Sequence, residues 1–307
     1  MLVALAGSKS QVTGEVAEPL SVGESIPRPL QQAVRRAYLG LGEATAGARL
    51  LPSFIMIGVQ RCGTTSLFRT LLEHPQVRRA TFRKAVNYFD LNYYRGMRWY
   101  QGHFPVAEIA RRQTERYGGP VAFEASGYYL YHPFALERLA RDLPGAKLVA
   151  MLRDPVERAF SAYKHEYARG FERESFERAL ELEDERLAGE IERMRENIRY
   201  ESRPHRHHSY RHRGHYAEQL ERAFEFFPPE QVYVMDSEAY FDQPAREYRQ
   251  LLAFLGLGRH EPSGFRQVNA RPSAPMRVNT RQLLEEYYAP HNERLAKRLA
   301  RPLRWIR

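Results

Sequence analysis

Cysteine is nearly absent from this 307-residue chain: Cys62 is the only one, so no disulfide can form within it. A chain without disulfides suits a reducing compartment, and a cytoplasmic location is the expectation. Long apolar runs are lacking as well. No uninterrupted stretch approaches the roughly 20 residues that a membrane-spanning helix needs. The opening Met-Leu-Val-Ala-Leu-Ala is too short for a secretory leader and has no basic flank. Internal repeats are missing. What is present suits a folded domain, with 43% hydrophobic and 27% charged residues. The net charge of +10 favours anionic partners: a nucleotide, a polyanionic substrate, a nucleic acid or a membrane surface.

The chain divides into residues 1–48, an arm with a short basic helix, and a domain over 49–307. Residues 1 to about 28 are small and polar and read as a flexible arm. Leu30, Ala33, Val34, Ala37, Tyr38 and Leu41 recur at helical spacing beside Arg35 and Arg36. That helix either packs on the domain or lies on a membrane surface. Next come four apolar runs: 54–58, 121–123 ending at Glu124, 146–152, and 232–235. Helical patterns separate them, so the fold expected is α/β: a central parallel sheet with a P-loop-like strand-loop-helix and helices on both faces. Ligands of such sheets bind at the carboxyl ends of the strands. Residues 172–199, dense in Glu and Arg, read as an exposed helical excursion. Residues 203–216 carry His205, His207, His208, His212 and His215 among arginines. They read as a solvated basic loop, with an acceptor-facing loop or a metal site as alternatives. Their spacing matches no closed tetrahedral pattern, so no metal is expected.

Two segments have the pattern of phosphate sites. Gly58-Val59-Gln60-Arg61-Cys62-Gly63-Thr64-Thr65 has the glycine spacing of a Walker A loop, with Thr64 where that motif carries lysine. Backbone amides at the following helix start can still hold an anion. Arg61 adds fixed charge, placed to act in catalysis by stabilising charge that develops on the leaving phosphate oxygen, and Thr65 and Ser66 add hydroxyls. The lysine-and-magnesium apparatus for a γ-phosphate is missing. A sulfuryl group carries less charge, so a metal-free site is chemically sound. The second segment is Leu152-Arg153-Asp154-Pro155, followed by Arg158 and Ser161. Asp154 suits an N-cap and Pro155 a first helical turn, while Arg153 ends a strand, where it can grip a phosphate with two N–H groups.

These motifs resemble the 5′-phosphosulfate loop and the 3′-phosphate motif of sulfotransferases that use 3′-phosphoadenosine-5′-phosphosulfate (PAPS). The variant is similar to the heparan sulfate and bacterial carbohydrate branch, over about residues 52 to 299. His74-Pro75, Tyr88-Phe89-Asp90, Trp99-Tyr100, Gly214-His215-Tyr216 and Pro290-His291-Asn292 extend the likeness. The resemblance implies that Arg61, Cys62, Gly63, Thr64, Thr65 and Ser66 hold the 5′-phosphosulfate. It implies that Arg153 and Ser161 hold the 3′-phosphate, with Tyr216 beside the adenosine and Arg271 closing the site. PAPS would be the cofactor and adenosine 3′,5′-bisphosphate the product, with no metal required.

By the same resemblance a catalytic glutamate belongs at Ala85, so this chain departs from the pattern where a proton must be removed. His165, one turn beyond Ser161, is the first substitute as base, and Glu124 the second. The acceptor expected is a carbohydrate, a glycolipid or a small metabolite, with peripheral membrane contact if it is a lipid. A P-loop kinase and a basic nucleic-acid-binding protein are the competing readings. The first lacks its lysine and the second any recognised motif, so no nucleic-acid partner is expected.

Overall fold

The computed structural model describes residues 28–268, 275–301 and 303–306. The arm expected before residue 28 and the closing segment with Arg271 lie outside the described residues. The first element, α1 (Arg28–Ala44), docks on the domain at one spot. Gly42 meets the backbone of Gly102 with no room for a Cβ, and Tyr38 hydrogen-bonds Thr81 at 3.1 Å. Leu30, Val34 and Leu41 remain on its exposed side.

The core is a five-stranded parallel sheet. Its strands are β1 (Phe54–Gly58), β2 (Val77–Arg79), β3 (Val121–Ala125), β4 (Lys147–Leu152) and β5 (Val232–Asp236). The spatial order is β2-β3-β1-β4-β5. Every residue of β1 is buried, and so is β4 beyond its first, which is why both read as unbroken apolar runs rather than alternating ones. The expected strands are present. β2 is an addition, too short and too rich in arginine to show in the pattern, yet paired in register with Val121–Phe123.

Helices cover the sheet: α2 (Thr64–Leu72), α3 (Ala135–Asp142), α4 (Pro155–Ala168), α5 (Tyr216–Phe226), α6 (Ser237–Asp242), α7 (Pro244–Leu255) and α8 (Val278–Leu299). Local chemistry sets their starts. Asp154 caps α4 by accepting the Val156 amide at 2.9 Å, with Pro155 in the first turn. Asp236 does the same for α6 through the Ala239 amide at 3.0 Å.

One expectation about exposure holds for most of its residues but not all, and a second needs correction. Residues 172–199 form three short helices (Phe176–Glu181, Glu183–Leu187 and Glu190–Glu196) that bury Phe176, Ala179 and Met194 together with Glu183 and Glu190. Residues 203–216 are not a solvated loop: His205, Ser209, Tyr210 and Arg213 are buried. The two segments bury each other's charge. Glu183 accepts the backbone amides of Arg211, at 2.7 and 2.9 Å, and of His212, at 2.9 Å. A charged residue goes inside when its partners come with it.

Glu183→Ala strands those two amides in the interior. It should lower the unfolding free energy by about 1–3 kcal/mol for each buried group left unpaired. Glu181, on the solvent side with Arg178 as its partner, is the control. Its replacement by Ala should cost no more than about 1 kcal/mol. Urea unfolding of the two variants measures the difference.

Candidate active site

β1 and β4 are nearest neighbours, with Met56 opposite Val149 and Gly58 opposite Ala150. Both expected phosphate motifs therefore leave the same edge of the sheet side by side. The β1 loop turns through left-handed backbone at Arg61 (φ 73°) and Gly63 (φ 87°) before α2 begins. Only glycine fits at 63, because a Cβ there would lie 2.8 Å from the Phe241 ring. The amides of Gln60 and Cys62 are committed to the carbonyls of Gly127 and Val59. Those of Thr64 and Thr65 belong to the first turn of α2, where an amide has no acceptor within the helix, and the helix dipole is positive there.

On the β4 side, Arg61 donates its Nε to Ser161 Oγ at 3.1 Å, joining the two motifs directly. Arg153 reaches Glu157 at 3.7 Å and Glu238 at 3.9 Å. Lys164, on α4, completes this group, and sequence reading missed it. Its proton affinity is lowered first by burial and then, against the pull of Glu157, by the charges of Arg153 and Arg61. Three cations that repel one another gain most from a multiply charged anion placed among them. The spacing of Lys164 from Ser161 on one helix was the signal available.

On the β3 side stands Lys84, whose Nζ lies 3.2 Å from the hydroxyls of both Thr64 and Thr65. Two bonds to β3 fix its stretch of chain: the Ala125 amide donates to the Lys84 carbonyl, and the Val86 amide to Glu124 Oε2, both at 3.1 Å. The next turn is anchored by Tyr88 stacked on Tyr100, ring centres 4.7 Å apart.

Several expected site residues lie behind the loop. Ser66 is buried and its Oγ accepts the Val268 amide at 2.9 Å. Cys62 turns its thiol inward, where burial pushes it up to about 12. Tyr216, expected beside the adenosine, has no open ring face: it is 1% exposed and donates its hydroxyl to the Arg153 carbonyl at 2.9 Å. It ties the second motif to α5. A buried polar frame holds the loop from below. Glu166 accepts from Gln60 at 3.2 Å and pairs with His207 at 3.0 Å, while Arg213 donates to the other end of Gln60. Burial alone would raise the Glu166 carboxyl, and the His207 hydrogen bond with nearby cations holds it below its ordinary value.

The two base candidates sit in unlike places. Glu124 is fully buried, and its oxygens accept the Val86 amide and, at 2.5 Å, the Tyr129 hydroxyl. Burial pushes its carboxyl up to about 8, so it acts in the fold as a neutral tie. His165 is half-buried on α4, one turn beyond Ser161.

The histidines of 203–216 have protein partners: His207 pairs with Glu166 and His212 with Asp184 at 3.2 Å. His205 stacks on Tyr131 at 4.3 Å and meets Tyr128 Oη at 2.8 Å, and burial drives it down to about 3. His215 and His291 converge with Glu218 on α5, and these are the atoms of the described residues that come nearest to a metal-ligand set. Their rings, however, stack at 3.9 Å with planes 7° apart. Planes so nearly parallel do not meet within bonding distance of the rings, whereas a tetrahedral zinc needs the lone pair of each imidazole aimed at it.

Residues 51–269 match the family model described as the sulfotransferase domain. Human bifunctional heparan sulfate N-deacetylase/N-sulfotransferase 3 is 28% identical over 294 residues, which cover 84% of this chain and 31% of the relative. Mouse heparan sulfate glucosamine 3-O-sulfotransferase 3B1 is 31% identical over 214 residues, covering 70% and 48%. The chain thus spans less than half the length of either. A solved sulfotransferase from Alicyclobacillus acidocaldarius superposes with a TM-score of 0.59 at 31% identity, over 83% of this chain and 98% of that one.

Two outcomes check the geometry. Glu124 holds its proton up to about pH 8 when folded, against about 4.3 for an unfolded glutamate. Its contribution to stability is therefore complete below the lower value and lost as pH rises to the higher one. Glu124→Gln should flatten that decline in unfolding free energy between pH 5 and 8, within the window those values define. Gly63→Ala should lower the melting temperature and weaken nucleotide binding. Adding Phe241→Leu should recover the steric part and leave a residual cost of about 1–2 kcal/mol for the left-handed backbone. Full recovery would show that the backbone at 63 is not under this constraint.

Proposed function

Because the chain belongs to the sulfotransferase domain family, we propose that it moves a sulfuryl group from PAPS to a hydroxyl or amine of a carbohydrate. The observation that carries the proposal is the bond from Arg61 to Ser161 at the ends of two adjacent parallel strands, with Lys164 close enough to feel the charges of both Arg61 and Arg153. A nucleotide with phosphates on both the 3′ and the 5′ positions fits such a site, one anion above α2 and one above α4.

In this reading Arg153, Lys164 and the Ser161 hydroxyl hold the 3′-phosphate. The first-turn amides of α2 and the Thr64 and Thr65 hydroxyls hold the 5′ end. PAPS supplies an activated sulfur whose leaving group is a phosphate. The acceptor atom forms its bond to sulfur as the bridging S–O bond breaks, and that bond's electron pair stays on the 5′-phosphate. The acceptor's proton passes to the imidazole of His165, which shares a helix face with Ser161. Glu124 is ranked second because its oxygens are already engaged inside the fold. No step calls on a metal. The carbohydrate acceptor rests on the names of the relatives, which act on heparan sulfate. A glycolipid would also suit the exposed Leu30, Val34 and Leu41 beside Arg35 and Arg36 of α1, which offer a peripheral lipid contact. The single cysteine supports a cytoplasmic setting.

Calorimetric titration with adenosine 3′,5′-bisphosphate, and with ADP as control, tests the donor. The bisphosphate should bind tightly and ADP weakly, and Arg153→Ala should weaken the bisphosphate by about 10- to 100-fold. Equal binding of both nucleotides would overturn the two-phosphate donor site. Transfer of labelled sulfate from PAPS to de-N-sulfated heparan sulfate tests the acceptor. His165→Ala should then lower kcat by about 100-fold or more and Glu124→Gln much less; the opposite order would exchange their roles.

A further inference from the structure

The Walker-type loop of this chain has Thr64 at the position where a Walker A motif carries its lysine. We propose that Lys84 restores that charge from another part of the chain, as a catalytic residue holding the oxygens of the donor's 5′-phosphate, the leaving group of the transfer. The inference rests on the donor reading above and adds to it a division of labour among the cations.

Geometry divides them. Arg61, the basic residue within the loop, turns its guanidinium toward α4 and bonds Ser161, where Arg153 and Lys164 also act on the local field. That places it on the side of the 3′-phosphate. Lys84 stands across the loop, with its ammonium 3.2 Å from each of the two hydroxyls that open α2. An anion bound at the amides of Thr64 and Thr65 is in contact with those hydroxyls, and therefore with the ammonium between them. The phenyl ring of Phe68, 5.6 Å from Nζ, offers the cation a π face.

The position is also built. The segment carrying Lys84 is pinned to the end of β3 by Ala125 on one side and by Glu124 on the other. β3 is the partner of β1, with Ile55 opposite Glu124, so the two parts of the site share one rigid frame. Buried Glu124, bonded at both oxygens, is then a positioning residue for Lys84. As the S–O bond breaks, negative charge grows on the 5′-phosphate. A fixed ammonium already in place stabilises that charge without reorganisation, and keeps its own proton throughout.

A crossed titration separates the two ends of the nucleotide without needing an acceptor. Lys84→Met, Lys84→Arg and Arg153→Met are each titrated with adenosine 3′,5′-bisphosphate and with adenosine 3′-monophosphate, which lacks the 5′ group. Lys84→Met should weaken the bisphosphate by about 10- to 100-fold and leave the 3′-monophosphate unchanged. Lys84→Arg should recover much of the loss, and Arg153→Met should weaken both ligands. Unchanged bisphosphate binding in Lys84→Met, or an equal loss of both ligands, overturns the proposal. If Lys84→Met melts below the assay temperature, Lys84→Gln replaces it and is read by the same comparison. Failure of the wild type to bind the bisphosphate would instead sink the donor reading, a result distinct from either outcome for Lys84.

Discussion

Parallel strands that lie side by side in a sheet end on the same edge, and whatever follows them is delivered to a common space. Here β1 lies between β3 and β4. The loop after β1 receives Arg153, Ser161 and Lys164 from the β4 side and Lys84 from the β3 side. Crossover connections put dozens of residues between these groups in the chain, and the sheet brings them together again. Without the pairing of Gly58 with Ala150, Arg61 would have no Ser161 to reach.

Convergence of like charge is costly, and the fold offsets it from beneath. Glu166, almost wholly buried, ties Gln60 of the loop to His207, and Arg213 holds the far end of the same amide. Arg213 lies over the rings of Tyr128 and Tyr131, within 5.2 and 5.0 Å of their centres. Such a frame fixes the loop before any ligand arrives, so less freedom is lost on binding. It also explains why a histidine- and arginine-rich stretch is inside the molecule: its charges are members of the frame. The uncharged state of His205, imposed by burial, belongs to the same arrangement.

Membership of the sulfotransferase family and the five-stranded parallel fold agree with one another. The resemblance implies a catalytic glutamate at position 85, where this chain has Ala85. Its neighbour Lys84 is held in place by the strand that carries Glu124, whose carboxyl accepts from the Val86 amide and the Tyr129 hydroxyl.

The elements whose cause is local were legible in the residues alone. An unbroken apolar run such as 54–58 can only be a strand buried on both faces, or a short piece of core helix. The glycines and hydroxyls after it select the strand-loop-helix. Asp154 and Pro155 announce the start of α4 in the same way. What the sequence could not determine was which distant residue meets which. Lys84 and Lys164 look like any solvated lysine until the strand order sets them against Thr64 and Arg61. Glu183 and Glu190 look exposed until the amides and hydroxyls they accept are seen beside them. Tyr216 and Glu124 sit within plausible motifs, yet packing turns both inward. A side chain's type is written in the chain, but the worth of a charge depends on its desolvation and its partners, and only the tertiary structure assigns those.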